Sequence, residues 1–212
     1  MRIAPVWIML FVVGCGSSSD ASGNGGSAGS PGIGGESGSG GSPGGAAGAG
    51  GRQELTERIV FVTASGQTAN LGGLDGADSI CASEADGAGL PGEFKAWLST
   101  LETPAADRLT RSPVPYVLVD GTRIADDWDD LVDNQLLAPI DIDATGQTRT
   151  GDVWTGTLPS GQPYADGDCM GFSSEASNMR SLCGSTAFSD QRWSAAQTPF
   201  CNTRLRLFCF QQ

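Results

Sequence analysis

The side chains with the greatest chemical reactivity in this sequence are six cysteines, and its 212 residues include no histidine. Without histidine, Ser-His-Asp and Cys-His arrangements cannot form within the chain, and the commonest ligand of zinc is missing. No two cysteines have the C-x-x-C spacing typical of zinc knuckles or thioredoxin-like redox sites. We therefore expect no catalytic residues and no cofactor. Calcium is the one candidate ion, because another segment contains suitable oxygen ligands.

That segment is "DIDATGQTRTGD", residues 141–152, which has the oxygen spacing of a twelve-residue calcium loop. Five residues match positions 1, 3, 5, 6 and 12 of the EF-hand pattern: Asp141, Asp143, Thr145, Gly146 and Asp152. Carboxylate and hydroxyl oxygens suit Ca²⁺, so the pattern identifies a candidate metal site. The preceding "PIDI" predicts extended chain in place of an entering helix, and Arg149 stands at position 9. A polar loop between two strands is therefore the alternative.

A second polar cluster lies in "YADGDC", where Asp166 and Asp168 flank Gly167 immediately before Cys169. Two carboxylates so close in sequence are candidates for binding a cation or another polar ligand. A plain turn is the alternative, because Asp and Gly are typical turn residues.

The charge balance narrows the classes of partner. The formal net charge is −12 and the isoelectric point is about 4.2. An acidic surface repels phosphate backbones, so we expect no nucleic-acid partner.

The N-terminus, "MRIAPVWIMLFVVGC", has the features of an export signal. Arg2 precedes an apolar run over residues 6–13, which is too short to span a bilayer. Small residues before Cys15 resemble the lipobox of bacterial lipoproteins, and the resemblance implies cleavage after residue 14 and lipid attachment at Cys15. An ordinary signal peptide with an incidental cysteine is the alternative.

The next segment, residues 16–51, contains 16 of the 32 glycines and is otherwise mostly Ser and Ala. Such a sequence buries too little apolar surface to fold and behaves as a coil with a span of roughly 30–35 Å. We therefore divide the chain into a signal peptide (1–14), a lipidated cysteine with a tether (15–51) and a folded domain (52–212).

Export also changes the interpretation of the other five cysteines. Outside the cytoplasm, cysteines are disulfide partners before they are metal ligands. Five is an odd number, so one thiol is left unpaired. The five residues are Cys81, Cys169, Cys183, Cys201 and Cys209.

Within the folded domain, the apolar pattern predicts short strands around two helices, which is an α+β fold. A helix over residues 77–86 places Cys81 on its buried face, and a second, acidic helix is expected over 127–132. The predicted strands are 58–63, 94–98, a hairpin over 116–125, "PIDID", "DVWTGT" and 204–209. Residues 158–193 are expected to form a long loop, because the stretch is rich in Gly, Ser and Asp.

Three stretches carry a family resemblance: "GADSICASEADGAGLPGEFKAWLS", "VWTGTLPSGQPYADGDC" and "FCNTRLRLFCF". In this order they resemble endostatin, more broadly the C-type lectin-like fold, and most closely a family of bacterial lipoproteins that share this endostatin-like pattern. The resemblance covers residues 58–211. It implies two helices, mixed and mostly antiparallel short strands, and a long loop that carries the ligand site.

The resemblance also implies nested disulfides, Cys81–Cys209 and Cys169–Cys201, which leaves Cys183 as a free thiol. The longer disulfide would stabilise the fold by about 4–5 kcal/mol through the entropy of the unfolded chain. The sequence itself leaves open Cys169–Cys183, with Cys201 unpaired.

The calcium-dependent sugar site of lectin-like domains is incomplete here. At its two ligand triplets this chain has Gln162-Pro163-Tyr164 and Trp193-Ser194-Ala195, in which several oxygen ligands are missing. We expect Trp193 to be a core residue. The zinc-binding histidines and the Arg-rich heparin surface of endostatin have no counterparts.

These observations predict a lipid-anchored binding or adhesion module, on the outer membrane or cell surface, that recognises a protein or glycan without catalysis. The ligand-loop candidates are Gln162, Tyr164, Asp166 and Asp168. A structural envelope lipoprotein with no discrete ligand is the alternative. A Cys183-dependent enzyme, by analogy with formylglycine-generating enzymes of the same broad fold, is a third hypothesis.

Overall fold

The computed structural model describes residues 55–212, in which the C-terminal strand is the centre of a seven-stranded sheet. The strands are β1 Arg58–Val62, β2 Phe94–Ala96, β3 Tyr116–Leu118, β4 Arg123–Ala125, β5 Asp152–Trp154, β6 Cys183–Ser185 and β7 Arg206–Gln211. Their order is β4-β3-β1-β7-β5-β6, and β2 also pairs with β7. β1–β3 and β5–β7 are parallel, and the other four pairs are antiparallel. The predicted α+β class is confirmed.

Four helices and one 3₁₀ turn accompany the sheet, where two helices were predicted. They are α1 Gly73–Ala88, α2 Ala105–Arg108, α3 Trp128–Leu131, α4 Cys169–Phe172 and a 3₁₀ turn, Gln191–Trp193. The prediction missed α2, α4 and the 3₁₀ turn. Each of these has at most four residues, which is too few to show a helical period.

Helix α1 begins four residues earlier than the sequence pattern predicted. A side chain at Gly76 would place a Cβ 2.0 Å from the carbonyl oxygen of Leu71, so glycine allows the first turn to pack closely on the preceding loop. The helix ends at Ala88 and is capped by Gly89, which has a φ of 72° and the left-handed conformation common after helix C-termini. Its buried residues, Ala77, Cys81 and Ala85, are part of the predicted face.

The core lies on both faces of the sheet because successive strand residues point to opposite sides. One cluster contains Val60 and Phe208 from the two central strands and is rich in tryptophan: Trp97 and Trp193 pack with ring centroids 4.9 Å apart. The other contains Phe61, α1 and all the cysteines of the described part. The central strand pair, β1–β7, therefore contributes side chains to both hydrophobic clusters.

Two predictions about the second half of the chain are wrong. "PIDID" is not a strand: Ile142 makes only an isolated bridge to Thr148, because the chain turns back between Asp143 and Gly146, where the Gly146 N–H donates to the Asp143 carbonyl at 3.0 Å. Residues 158–193 are not loop throughout, since α4, β6 and the 3₁₀ turn lie within them. The observed long loop is residues 158–182, interrupted by α4. No helix in the described part of the chain is both long and apolar enough to cross a membrane.

Candidate functional site

A buried hydroxyl network fixes the base of the long loop. The Trp97 indole N–H donates to the Ser194 hydroxyl at 2.8 Å, and that hydroxyl donates to the Thr157 carbonyl oxygen at 2.7 Å. Thr157 in turn donates to the Ser99 hydroxyl at 2.9 Å, and the Thr155 hydroxyl donates to the Ser194 carbonyl at 2.7 Å. All these side chains are fully buried. The network joins the end of β5, the 3₁₀ turn and the segment after β2.

The first part of the long loop is a tight hairpin that projects its candidate ligand residues. The Leu158 N–H donates to the Gln162 carbonyl at 2.8 Å, and the Tyr164 N–H donates to the Gly156 carbonyl at 2.8 Å. Gln162 is exposed and Tyr164 is half-buried. Partial burial, followed by the neighbouring Asp166 carboxylate, raises the pKa of the Tyr164 hydroxyl above its usual value, so this side chain is a neutral hydroxyl at physiological pH.

The second part of the loop is a turn of left-handed helix, α4. Cys169, Met170, Gly171 and Phe172 have φ values of 53°, 58°, 64° and 59°. The turn is closed by a hydrogen bond of 2.7 Å from the Phe172 N–H to the Asp168 carbonyl. Left-handed backbone costs a residue with a side chain roughly 1–2 kcal/mol, so a run that includes three such residues has to be imposed by its surroundings.

Those surroundings are visible on both sides of the turn. Cys169 is held by a disulfide to Cys201. Phe172 is fully buried. Its ring would lie 2.9 Å from a Cβ at position 156, so only glycine fits at that position. Met170, between these anchors, is 67% exposed.

The two carboxylates predicted as ligand candidates have different surroundings. Asp168 Oδ2 accepts a 3.0 Å hydrogen bond from the Leu101 N–H, which joins the long loop to the segment after β2. Asp166 is exposed and faces Tyr164. The structure therefore gives Asp168 a positioning contact and leaves Asp166 accessible to a ligand.

The disulfides join Cys81 to Cys209 and Cys169 to Cys201, the pairs that the family resemblance implies. Their sequence separations are 128 and 32 residues. The alternative pair Cys169–Cys183 is not formed. Disulfides of this kind indicate an oxidising, extracytoplasmic environment.

Cys183, the free cysteine of the described residues, is fully buried on β6. Burial, followed by repulsion from the Asp152 carboxylate, raises the pKa of its thiol to about 12. The nucleophilic form of cysteine is the thiolate, so this thiol is inert at physiological pH. Its environment is that of a core residue.

The predicted calcium loop is folded around an arginine. Asp143 is buried, with Oδ2 accepting from the Arg149 guanidinium at 2.7 Å and Oδ1 from Thr145 and from the Gln147 N–H. These hydrogen bonds, opposed by burial, lower the pKa of the Asp143 carboxyl to about 2. Asp152 lies on β5, where its carboxylate accepts from Gln197. Asp141, Asp143 and Asp152 do not come together, and residues 55–212 hold no group of three Asp, Glu, Cys or His side chains that could bind a metal ion.

The segment that the sequence resemblance aligned with a second ligand triplet has a structural role. Trp193 is fully buried, as predicted, and Ser194 belongs to the hydroxyl network. No sequence pattern indicated that network, because its hydroxyls belong to ordinary Ser and Thr residues that are distant in the chain. The left-handed turn was equally hidden, since only Gly171 among its four residues favours that conformation.

Comparison with known proteins yields no family assignment. No protein-family model matches the sequence, and no curated protein matches it.

Proposed function

We propose that this chain is an exported bacterial lipoprotein whose folded domain, of the C-type lectin-like and endostatin-like type, binds a protein or glycan through its long loop without catalysis. The observation that carries the proposal is the loop itself. A buried network, a disulfide and a left-handed turn hold its shape, and its exposed residues between 160 and 170 are Ser160, Gln162, Ala165, Asp166 and Met170. Preorganisation of this kind lowers the entropy cost of binding.

The disulfide arrangement supports the fold assignment. One disulfide joins the first helix to the last strand, and the other joins the long loop to the segment before that strand. This nested pattern is the one expected of the family that the sequence resembles.

The lipid anchor rests on sequence alone, because Cys15 and the Gly/Ser-rich segment lie outside the described residues. Lipid on the Cys15 sulfur and on the new amino terminus would give stable attachment, since two or more acyl chains together are sufficient. The membrane is thus a partner through the anchor, and the outer membrane or cell surface is the proposed location.

The anchor is tested with the full chain expressed in a bacterial host. The wild type is expected in the membrane fraction with an acylated N-terminal peptide by mass spectrometry, and Cys15→Ser in the soluble or precursor fraction. A Ser17→Ala variant is the matched control and should behave as wild type. Equal partitioning of wild type and Cys15→Ser would remove the anchor from the proposal.

Binding is tested by applying the full chain to glycan and protein arrays. We expect saturable binding that Gln162→Ala with Asp166→Asn weakens at least about tenfold, which is the loss of roughly 1.4 kcal/mol. Thr122→Ala with Arg123→Ala, on the exposed β3–β4 hairpin, is the matched control and should bind as wild type. Binding that both pairs reduce equally, or that neither pair changes, would contradict the loop assignment.

A further inference from the structure

We propose that the partner recognised at the long loop is a basic, apolar polypeptide segment of another protein, which docks on an acidic-rimmed surface around Met170. This inference rests on the proposed function and specifies the chemistry of its ligand. The surface, here named the Met170 patch, consists of Leu101, Glu102, Asp166, Asp168 and Met170.

Two chain segments meet to form the Met170 patch. The Leu101 N–H donates to Asp168 Oδ2 at 3.0 Å, and a Cβ on Gly171 would lie 3.8 Å from the Thr100 side chain. The two apolar side chains here are among the most exposed large hydrophobic side chains of the described residues: Met170 is 67% and Leu101 50% accessible.

The backbone holds Met170 outward at a conformational cost. Methionine rarely adopts left-handed backbone, yet Met170 has φ 58° and ψ 52° between a disulfide-bonded cysteine and a buried phenylalanine. Burial would stabilise a methionine side chain, and this turn directs it into water instead. The disulfide and the burial of Phe172 impose this conformation, and its consequence is an apolar side chain that is left in contact with water.

The rim of the patch defines the charge of the partner. Glu102 and Asp166 are exposed, and Asp168 is half-exposed. None of these three carboxylates forms an ion pair with a lysine or arginine of residues 55–212. A ligand that carries positive charges would therefore find unpaired carboxylates around an apolar centre, and the net charge of −12 would speed its approach.

The apolar centre favours polypeptide over the other classes of partner. The flexible, polarisable thioether of methionine adapts to irregular apolar protein surfaces. Sugar hydroxyls require polar partners, and the centre of the patch, Leu101 and Met170, supplies none. An anionic membrane surface would be repelled by the acidic rim.

The test uses the full chain labelled with ¹³C at its methionine methyl groups. The sequence has four methionines, and Met170→Leu and Met179→Leu spectra assign the two in the described part. The probe is an amphipathic peptide of leucine and lysine, about 14 residues long, and a leucine–glutamate peptide is its charge-reversed control. We expect the lysine peptide to shift the Met170 methyl signal to saturation and to leave that of Met179, which packs against the core, unchanged.

Charge variants test the rim. Glu102→Gln with Asp166→Asn should weaken lysine-peptide binding about tenfold at low salt, and added salt should weaken the wild type in the same direction. Glu57→Gln with Glu93→Gln removes two exposed carboxylates that are not part of the Met170 patch and is the matched control, with a change below about twofold. Circular dichroism of each variant verifies that the fold is retained.

Three outcomes would overturn the inference: a Met170 signal that the lysine peptide does not move, equal binding of the glutamate peptide, or equal affinity of the rim variant. A Met170 shift that only lipid vesicles produce would replace the polypeptide with a lipid surface. If the Met170 signal does not move while array binding still requires Gln162 and Asp166, the proposed function stands and this inference fails.

Discussion

The indole nitrogen of Trp97 donates a 2.8 Å hydrogen bond to the hydroxyl of Ser194, and both side chains are fully buried. The sequence resemblance would align Ser194 with an ion ligand of calcium-dependent lectins. In this chain its hydroxyl bridges the core and the base of the long loop. The same position therefore serves to fix the shape of the loop.

Ser194→Ala should lower the free energy of unfolding by about 1–3 kcal/mol, because it leaves the buried Trp97 N–H and the Thr157 carbonyl each without this partner. Urea denaturation measures the loss. Ser160→Ala, at an exposed serine of the same loop, is the control and should stay within about 0.5 kcal/mol of wild type. A Ser194→Ala protein as stable as the Ser160→Ala protein would show that the network does not stabilise the loop.

Stability should fall in acid as the Asp143 carboxylate is protonated. Its pKa is lowered to about 2 in the folded protein, from an ordinary value of 3.8. The contribution is therefore fully present above pH 4 and is lost as the pH falls from about 4 to 2. It amounts to about 2 kcal/mol, given 1.36 kcal/mol for each pKa unit.

Denaturation between pH 2 and pH 6 tests this assignment. Asp143→Asn should be less stable at neutral pH and should lack this part of the acid dependence. Asp120→Asn, at an exposed turn, should retain the full dependence of the wild type. The same pH profile for Asp143→Asn and wild type would contradict the Asp143–Arg149 account.

Met170→Asn should increase stability by about 0.5–1 kcal/mol, because asparagine tolerates the left-handed conformation better than methionine and little buried surface is lost. Ser160→Asn, at an exposed residue outside the left-handed region, should be neutral. Thermal or urea unfolding measures both variants. A destabilised Met170→Asn protein would mean that Met170 contributes packing, and the strain argument for the Met170 patch would lose its basis.

Cys183 should be unreactive in the native protein, since its thiol is buried and its pKa is about 12. Alkylation followed by peptide mass spectrometry should label residue 183 only after denaturation, and Cys183→Ser should lack that label. Rapid native labelling at Cys183 would reopen the hypothesis of a cysteine-dependent enzyme.

Much of the fold was predictable from the periodicity of the apolar residues. β1, α1, the β3–β4 hairpin and β7 were predicted to within a few residues, because each has a clear apolar pattern or turn signal. The β3–β4 turn is an example: the Gly121 N–H donates to the Leu118 carbonyl at 2.9 Å, and Gly121 has the positive φ, 86°, that glycine supplies at the end of a three-residue hairpin loop.

The features that the sequence did not predict have a common physical cause. They depend on contacts between residues that are not neighbours in the sequence. Asp143 looked like a calcium ligand because sequence spacing cannot reveal that Arg149 folds back onto it. The left-handed turn depends on a disulfide to Cys201 and on the burial of Phe172, neither of which is a local property. The sequence thus indicated which residues are candidates for a site. It did not predict their hydrogen bonds, their burial or their backbone conformation.

The most direct test of the central claim is hydrogen-exchange mass spectrometry of the full chain, free and bound to its strongest array ligand. The account predicts that the ligand slows exchange in residues 99–102 and 158–172. The peptides that cover α1 and the β3–β4 hairpin should exchange at the same rate in both states. Protection confined to α1 or to the hairpin, with the long loop unchanged, would contradict the account.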